Sequence, residues 1–339
     1  MRISTSQIYR QATDSLMRTL SDMYGLNGQI SSGKRINKPS DDPTGTSRAM
    51  AYKVSIATGE QYLGNIDGAM SAITSAESAM SSVNTALTRV KELAVQAASD
   101  GTSDSSREAL ASEVGQLRDH LLSLANTKVG SSYIFSGYRT DAAAFNATSY
   151  AYEGDAGSVY VGIGSGVRIS QNVTGEAAFQ YTLDAEEVVE IDEGVYAHYI
   201  PGSGTSTMTV EIRDSATSGA GTLIDSFTFD NAMEMTDVLC TAMENNDMHR
   251  ISALLSTYDD MAEHVNTVRA DLGARLNRLE NQGTRIEDQN LMTKANLSSV
   301  EDADIIAAAS DLSKANTVLT AVQASTAKIL SQSLLDFLD

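Results

Sequence analysis

Residues 31–50, SSGKRINKPSDDPTGTSRAM, combine basic side chains, two adjacent carboxylates, proline and glycine between regions with long apolar repeats. These residue types occur in catalytic loops, in phosphate-binding loops and in joints between helices. Gly33 lies just beyond an apolar stripe, where a helix can end in a left-handed residue. Asp42 before Pro43 is typical of an N-cap and a first helical residue, and Asp41 adds favourable charge there. The pattern favours a joint between two helices, with a merely polar linker as the alternative.

A second polar segment, SSVEDADIIAA at residues 298–308, occupies the corresponding place before the last apolar stripe of the chain. Its carboxylates can pair with the basic residues of the first segment, and Arg35 with Asp304 is the pair that this hypothesis singles out. The predicted joint between helical layers comprises Gly33, Lys34, Arg35, Asn37, Asp41, Asp42, Glu301, Asp302 and Asp304.

Other stretches suggest chemistry only superficially. GIGSGVR, residues 162–168, lacks the full G-x-G-x-x-G spacing of a nucleotide-binding loop, and a strand-connecting turn is favoured. The acidic run at 184–193 could attract a cation, yet it lacks the order and the central glycine of an EF-hand. The histidines have no metal-binding spacing, and no Ser/His/Asp or Cys/His arrangement is recognisable. We therefore predict no enzyme activity and nominate no catalytic, cofactor-binding or metal-ligating residue.

Charge and cysteine content exclude further classes of protein. The 339 residues include 44 acidic and 24 basic side chains, and the formal charge of −20 repels phosphate backbones and anionic lipid headgroups. No stretch approaches the roughly 18 to 20 apolar residues that span a bilayer, and no cleavable secretion signal is recognisable at the start. The single cysteine, Cys240, excludes an intramolecular disulfide framework. We predict no nucleic-acid partner and no membrane partner.

The elements that must position the joint are two terminal helices with apolar residues repeating every seven positions. Such a repeat keeps one stripe of a helix facing a partner helix. An isolated helix with a single stripe is marginal in water, so these two should become ordered only against each other or against neighbouring subunits. The predicted interface between helices and subunits comprises Tyr9, Leu16, Leu20, Met23, Ile30, Ile305, Leu312, Leu319, Val322 and Ile329.

The interior of the chain contains three further regions with seven-residue repeats, two before and one after a group of short β-type runs. The repeats run from Ile66 through Ala94, from Leu110 through Leu124 and from Ile251 through Ile286. Between about 140 and 235, runs such as TMTVEIR alternate apolar and polar residues as half-buried strands do. The fold class predicted is mainly α with a β-rich insertion.

Five segments follow from these patterns. They are an N-terminal helix and linker at 1–42, a first part of the helical core at 43–140, a β-rich domain at 141–235, a second part of the core at 236–298, and a linker with the C-terminal helix at 299–339.

Long motifs in this order resemble a known family. They are MRISTSQIY and SGKRINKPSDDPTGTSRA, NIDGAMSAITSAESAM and REALASEVGQLRDHLLSLANTKVGSSYIFSGYRTDAAAF, YEGDAGSVYVGIGSGVRISQNVTGEAAF, and near the end VRADLGARLNRLE, SSVEDADIIAAASDL and LTAVQASTAKILSQSLLDFL. They resemble the flagellin superfamily, and more closely its hook-filament junction proteins. The resemblance covers about residues 1–180 and 250–339.

The resemblance implies a flagellin-like bundle of long antiparallel helices, with the terminal helices as a coiled-coil layer and the β insertion as an outer domain. It implies a structural, secreted protein of the bacterial flagellum, exported unfolded through the flagellar type III apparatus and located outside the cell. The implied partners are neighbouring subunits, flagellin, another hook-associated junction protein, and an export chaperone that binds within about residues 300–339. It implies no cofactor.

Two alternatives stay open at the level of the sequence. One is a flagellin that forms the filament itself, although GYRTDAAAF and the ending SLLDFL argue against it. The other is an adhesin or carbohydrate-binding protein that uses the β insertion and whose helices are only a stalk.

Overall fold

The computed structural model describes residues 5–99, 101–180, 183, 185–202 and 207–338. For residues 5, 6, 8, 9 and 329–338 it describes the backbone alone. The helices in these ranges are α1 Thr5–Ser32, α2 Pro43–Ala97, α3 Asp104–Ala125, α4 Gly175–Phe179, α5 Ala232–Glu244, α6 Met248–Glu301 and α7 Ile305–Leu338. The strands are β1 Lys128–Val129, β2 Ser132–Tyr133, β3 Tyr160–Gly164, β4 Val167–Ser170, β5 Glu187–Asp192, β6 Val195–Pro201, β7 Met208–Arg213 and β8 Leu223–Phe229.

The chain forms two compact units. The first unit consists of Met1–Gln61 and Arg285–Asp339, and the second consists of Tyr62–Thr284. Within the second unit, β1 pairs with β2, β3 pairs with β4, and β5 to β8 form an antiparallel sheet in sequence order. The fold is mainly α with an antiparallel β insertion, which confirms the predicted fold class.

The seven-residue repeats form the core of the second unit. Ile66, Ile73, Met80 and Leu87 on α2 and Ile251, Tyr258, Val265, Leu272 and Leu279 on α6 are all buried. Each such side chain contributes about 1.5–3 kcal/mol when it leaves water. Ion pairs between Arg269 and Glu77 (2.8 Å) and between Lys91 and Asp259 also join these two helices.

The β insertion agrees with the alternation seen in the sequence and departs from it at one place. Met208, Val210 and Ile212 on β7 are buried as predicted, and GIGSGVR comprises the end of β3, the turn and the start of β4. The acidic run, however, forms edge strand β5 at Glu187–Asp192. Charged residues on an edge strand discourage pairing with other chains. The acidic composition of this segment therefore did not indicate a strand. Asp184, the first residue of the run, lies outside the described residues.

The segment boundaries of the insertion also differ from those expected. The small hairpin of β1 and β2 precedes residue 141, and α5 begins at Ala232, before residue 235. The Asn231 side chain caps α5 by accepting hydrogen bonds from the backbone N–H groups of Met233 and Glu234. This cap is a local signal that the apolar pattern alone does not reveal.

Candidate assembly interface

The terminal helices α1 and α7 pack against each other within the first unit. On each helix, side chains three and four residues apart face the other helix, as in a coiled coil. On α1 the half-buried set is Ala12, Leu16, Thr19, Leu20, Met23, Leu26, Gln29 and Ile30. On α7 it is Leu312, Ala315, Leu319, Val322 and Thr326, preceded by the buried Ala308.

Most of the side chains predicted for this interface lie on these stripes, and one does not. Ile305 is 53% exposed within the chain. It is the first residue of α7, ahead of the point where the stripe becomes covered at Ala308. The side chains of Tyr9 and Ile329 lie outside the described residues. The sequence reading missed Leu26, although its spacing of three from Met23 fits the same stripe.

Large apolar side chains also lie on the uncovered faces of the two helices. Met17 and Tyr24 on α1 are exposed, as are Ile306 and Val318 on α7, with exposed fractions from 49% to 84%. The described part of the chain leaves about half or more of each of these side chains uncovered. They leave apolar surface on the first unit for contact with other chains.

The joint begins where α1 ends. Gly33 has φ of 71°, a left-handed conformation that glycine adopts without a steric penalty, and its N–H donates to the Gln29 carbonyl at 2.9 Å. The Gly33 carbonyl accepts from the N–H of Ala303 at 2.9 Å, and the N–H of Arg35 donates to the Glu301 carbonyl at 2.7 Å. The segment after α1 and the segment before α7 are therefore joined by antiparallel backbone hydrogen bonds.

A buried carboxylate holds two lysines at this place. Oε1 of Glu301 lies 2.8 Å from Nζ of Lys34 and 2.8 Å from Nζ of Lys53. The Glu301 side chain is 8% exposed, whereas the lysine side chains are 46% and 44% exposed. The hydrogen bonds from Lys34 and Lys53 lower the pKa of Glu301, and the hydrogen bond to Glu301 raises the pKa of Lys34. Lys53 was not among the predicted joint residues, because no local pattern links a position on α2 to Glu301.

The predicted pair of Arg35 with Asp304 does not form. The Arg35 guanidinium donates to the Val300 carbonyl at 2.7 Å and pairs with Asp42 at 3.3 Å. Asp304 instead caps α7, since its Oδ1 accepts from the N–H groups of Ile306 and Ala307 at 3.0 Å each. A carboxylate at an N-cap satisfies helix N–H groups that have no partner in the helix, and this local use outweighs the distant cation.

The remaining joint residues shape the turn between α1 and α2. The Asp41 carboxylate accepts from the N–H groups of Asn37 and Lys38 at 3.1 and 2.8 Å, and the Asn37 amide donates to the Lys34 carbonyl at 3.0 Å. The backbone of Asp302 pairs with the backbone of Lys34 in an isolated antiparallel β-bridge.

Asp42 occupies the N-cap of α2. Its Oδ1 accepts from the Gly45 N–H at 2.8 Å and from the Thr44 hydroxyl at 2.9 Å, and these bonds lower the pKa of Asp42.

Gly45→Ala is expected to destabilise the first unit. A Cβ at Gly45 would lie 2.7 Å from Cγ of Asp42 and 2.7 Å from Cδ1 of the buried Ile36, which displaces the cap. Such overpacking costs about 1–3 kcal/mol, more than the roughly 1 kcal/mol by which alanine favours a helix. Gly64→Ala is the matched control, because a Cβ there meets nothing within 4 Å and alanine should stabilise α2. Urea unfolding measures both, and equal shifts would contradict the steric explanation.

Glu301→Gln is expected to weaken the joint at pH 7 by about 1–2 kcal/mol, because charged hydrogen bonds to half-exposed lysines are partly screened. The folded pKa of Glu301 is lowered, so the ionised carboxylate stabilises the fold above the ordinary value of about 4.3 and loses that contribution as the pH falls through the folded pKa. Hydrogen exchange at the Arg35 and Ala303 amides, compared at pH 7 and pH 3.5, measures this. In the Glu301→Gln variant, exchange at these two amides should change less between pH 7 and pH 3.5 than in the wild type.

Glu60→Gln is the control for that comparison, since Glu60 and its partner Lys294 are both more than half exposed. It should leave exchange at the joint unchanged at either pH. A Glu301→Gln variant with the wild-type profile would exclude the buried carboxylate as the source of the pH dependence.

Comparison with known proteins identifies relatives across both ends of the chain. A family model described as the bacterial flagellin N-terminal helical region matches residues 3–180, and one described as the bacterial flagellin C-terminal helical region matches residues 255–338. Flagellar hook-associated protein 3 of Escherichia coli K12 is 30% identical over 305 residues, which are 90% of this chain and 89% of that protein. The protein of the same name from Salmonella typhimurium is 29% identical over the same shares. Flagellin of Listeria innocua is 23% identical over 93% of this chain and 90% of its own length.

Solved structures share the fold. The crystal structure of flagellar hook-associated protein 3 from Legionella pneumophila has a TM-score of 0.57 at 21% identity, covering 74% of this chain and 98% of that one. FlgL from Bacillus cereus has a TM-score of 0.53 at 20% identity, covering 73% of this chain and 99% of that one.

Proposed function

This chain belongs to the flagellin family, and we propose from that premise that it is a structural adaptor at the junction between the flagellar hook and the filament. The observation that carries the proposal is the 30% identity to flagellar hook-associated protein 3 across 90% of the chain. Listeria flagellin covers a similar share at 23% identity, which favours the adaptor over a filament subunit. The protein acts by assembly and supports motility.

Assembly proceeds through the first unit. The stripes of α1 and α7 cover each other within one chain, and the uncovered apolar side chains Met17, Tyr24, Ile306 and Val318 are available to neighbouring subunits. Covering them in a tubular assembly removes apolar surface from water and adds to the stability of the paired helices. The exposed Ile305 belongs to this second set of contacts rather than to the intrachain stripe.

The adaptor has two partners in the flagellum, flagellin on the filament side and another hook-associated junction protein on the hook side. Residues 300–339 include α7 and bind an export chaperone before assembly. A chain whose terminal helices depend on a partner for stability suits export in an unfolded state through the flagellar type III apparatus to the outside of the cell. Within the ranges that the structure describes, no helix is both long enough and apolar enough to span a bilayer.

Electron microscopy of a strain that lacks the protein tests the proposal. We expect hooks without filaments and flagellin shed into the medium, with filaments restored by the wild-type chain. Normal filaments in that strain would refute the adaptor. Loss of the shed flagellin itself, together with long filaments assembled by the purified protein, would instead identify the chain as a flagellin.

A further inference from the structure

A buried histidine lies on the face of the β5–β8 sheet that α6 does not cover. Tyr199 on β6 turns toward α6, where its hydroxyl contacts the Ala253 carbonyl and lies 2.9 Å from the Ser256 hydroxyl. Side chains alternate along a strand, so the neighbouring His198 points to the opposite face. There the His198 side chain is only 1% exposed.

Both ring nitrogens of His198 meet oxygen atoms that accept hydrogen bonds. Nδ1 lies 3.2 Å from Oε1 of Glu186, and Nε2 lies 2.8 Å from the main-chain carbonyl of Ser215. A neutral imidazole has one N–H and can satisfy only one of these acceptors, whereas the imidazolium donates to both. Oε2 of Glu186 accepts from the Ser218 hydroxyl at 2.6 Å, and this bond, with that from His198, lowers the pKa of Glu186. The glutamate is therefore present as the carboxylate, and the geometry suits a charged ring.

These contacts attach one loop to the sheet. The β7–β8 loop, residues 214–222, supplies both the Ser215 carbonyl and the Ser218 hydroxyl. Gly219 and Gly221 in this loop have φ of 68° and 78°, so the backbone reverses through glycine before β8 begins. We infer that the charged His198 ring, bonded to Glu186 and Ser215, is a proton-dependent latch that holds the β7–β8 loop against the sheet.

The other charges around the ring have partners of their own. Within the described residues, the titratable and charged groups on this face and in the adjoining loop are Glu186, Glu190, Tyr196, Glu211, Arg213 and Asp214. Glu211 lies opposite His198 in the register and pairs with Arg213 at 2.7 Å. Asp214 accepts from the Thr222 N–H, and Glu190 accepts from the Gly194 N–H. Glu186 is thus the carboxylate that the ring contacts.

Loss of the ring proton removes one of the two hydrogen bonds and leaves a lone pair facing an acceptor. Histidine is the side chain that ordinarily changes charge between pH 5 and 8. The closed loop is more stable with a protonated ring, which keeps both hydrogen bonds, than with a neutral ring, which keeps one. On a protein outside the cell, the loop would respond to the pH of the medium, and that consequence alone rests on the proposed function.

Hydrogen exchange on the full-length purified protein tests the latch. Exchange at the Thr217, Ala220 and Thr222 amides is followed from pH 5.5 to 8.5, with rates corrected for the pH dependence of the exchange chemistry. We expect protection in the wild type to fall about tenfold over this range, the equivalent of one net hydrogen bond. His198→Gln should show low protection at every pH. A flat wild-type profile, or a variant that keeps the wild-type profile, would overturn the inference.

His249→Gln is the matched control. His249 is 40% exposed and lies 3.8 Å from Asp192, so its loss should leave the wild-type profile unchanged. If His198→Gln fails to fold, the ¹⁵N resonances of the wild-type ring decide the matter without a substitution. An imidazolium at pH 5.5 that becomes neutral as protection falls supports the latch, and a ring of constant charge across the range overturns it. Neither result depends on junction assembly, so failure of the latch is distinguishable from failure of the proposed function.

Discussion

Leu20→Asp and Leu319→Asp are each expected to abolish assembly into the junction while leaving the second unit folded. Both leucines lie half-buried on the stripes through which α1 and α7 pack. Each substitution removes apolar burial worth about 1–2 kcal/mol and places a carboxylate at the helix pair. The paired helices α1 and α7 are only marginally stable, because each helix carries a single apolar stripe. The defect recurs in every subunit of an assembly, so a modest intrachain loss becomes a complete assembly defect.

Two measurements separate pairing from assembly. Hydrogen exchange on the isolated chain should show reduced protection along α1 and α7 and unchanged protection on α2 between Ile66 and Leu87. Complementation of the deletion strain should fail to restore filaments. Ser21→Asp adds the same charge one residue along α1 at an exposed position, and it should leave protection of the isolated chain intact. A Leu20→Asp chain with wild-type protection and wild-type filaments would show that this stripe is not the assembly element.

The parts of the fold that the sequence predicted are those in which burial repeats at a regular spacing. Ile66, Ile73 and Met80 are seven residues apart and all buried, since a helix presents the same face every second turn. The β5 strand was missed because strand residues at a sheet edge need not be apolar. Val188, Val189 and Ile191 are its three apolar residues, among three carboxylates.

The joint residues were predicted as a group, and the sequence did not determine which of their charges would pair. Local geometry alone accounts for the Asp42 and Asp304 caps, because donor and acceptor are two or three residues apart. The contact of Lys53 with Glu301 spans 248 residues and depends on the register between α2 and α6. A single sequence shows which residues form the apolar stripe of each helix, but it does not determine how α2 and α6 are aligned along each other. Competing local partners then decide which charges remain for distant pairs, as Asp304 illustrates.

Arg107→Ala is expected to destabilise the second unit by about 1–3 kcal/mol, because it leaves the carbonyl of the buried Ala97 without the Arg107 donor. The Arg107 side chain is 9% exposed. Its Nε donates to the Ala97 carbonyl at the C-terminal end of α2 at 2.8 Å, and its Nη1 lies 3.2 Å from Oδ1 of Asn246 and 3.4 Å from Oδ1 of Asp104. One guanidinium therefore joins the end of α2, the start of α3 and the turn between α5 and α6.

The turn that Arg107 contacts closes the C-terminal end of α5. Asn246 has φ of 55°, a left-handed conformation that is common after a helix and that asparagine adopts more readily than other non-glycine residues. Arg107→Lys should recover only part of the loss, since an ammonium cannot reproduce the planar set of donors. Arg89→Ala is the control, because Arg89 pairs with Glu92 and Glu113 on the surface and its removal should change stability little. Urea unfolding at pH 7 compares the three. Equal urea midpoints for Arg107→Ala and Arg89→Ala would mean that apolar packing alone holds the three segments together. A lower midpoint for Arg107→Ala would show that the buried guanidinium contributes to their stability.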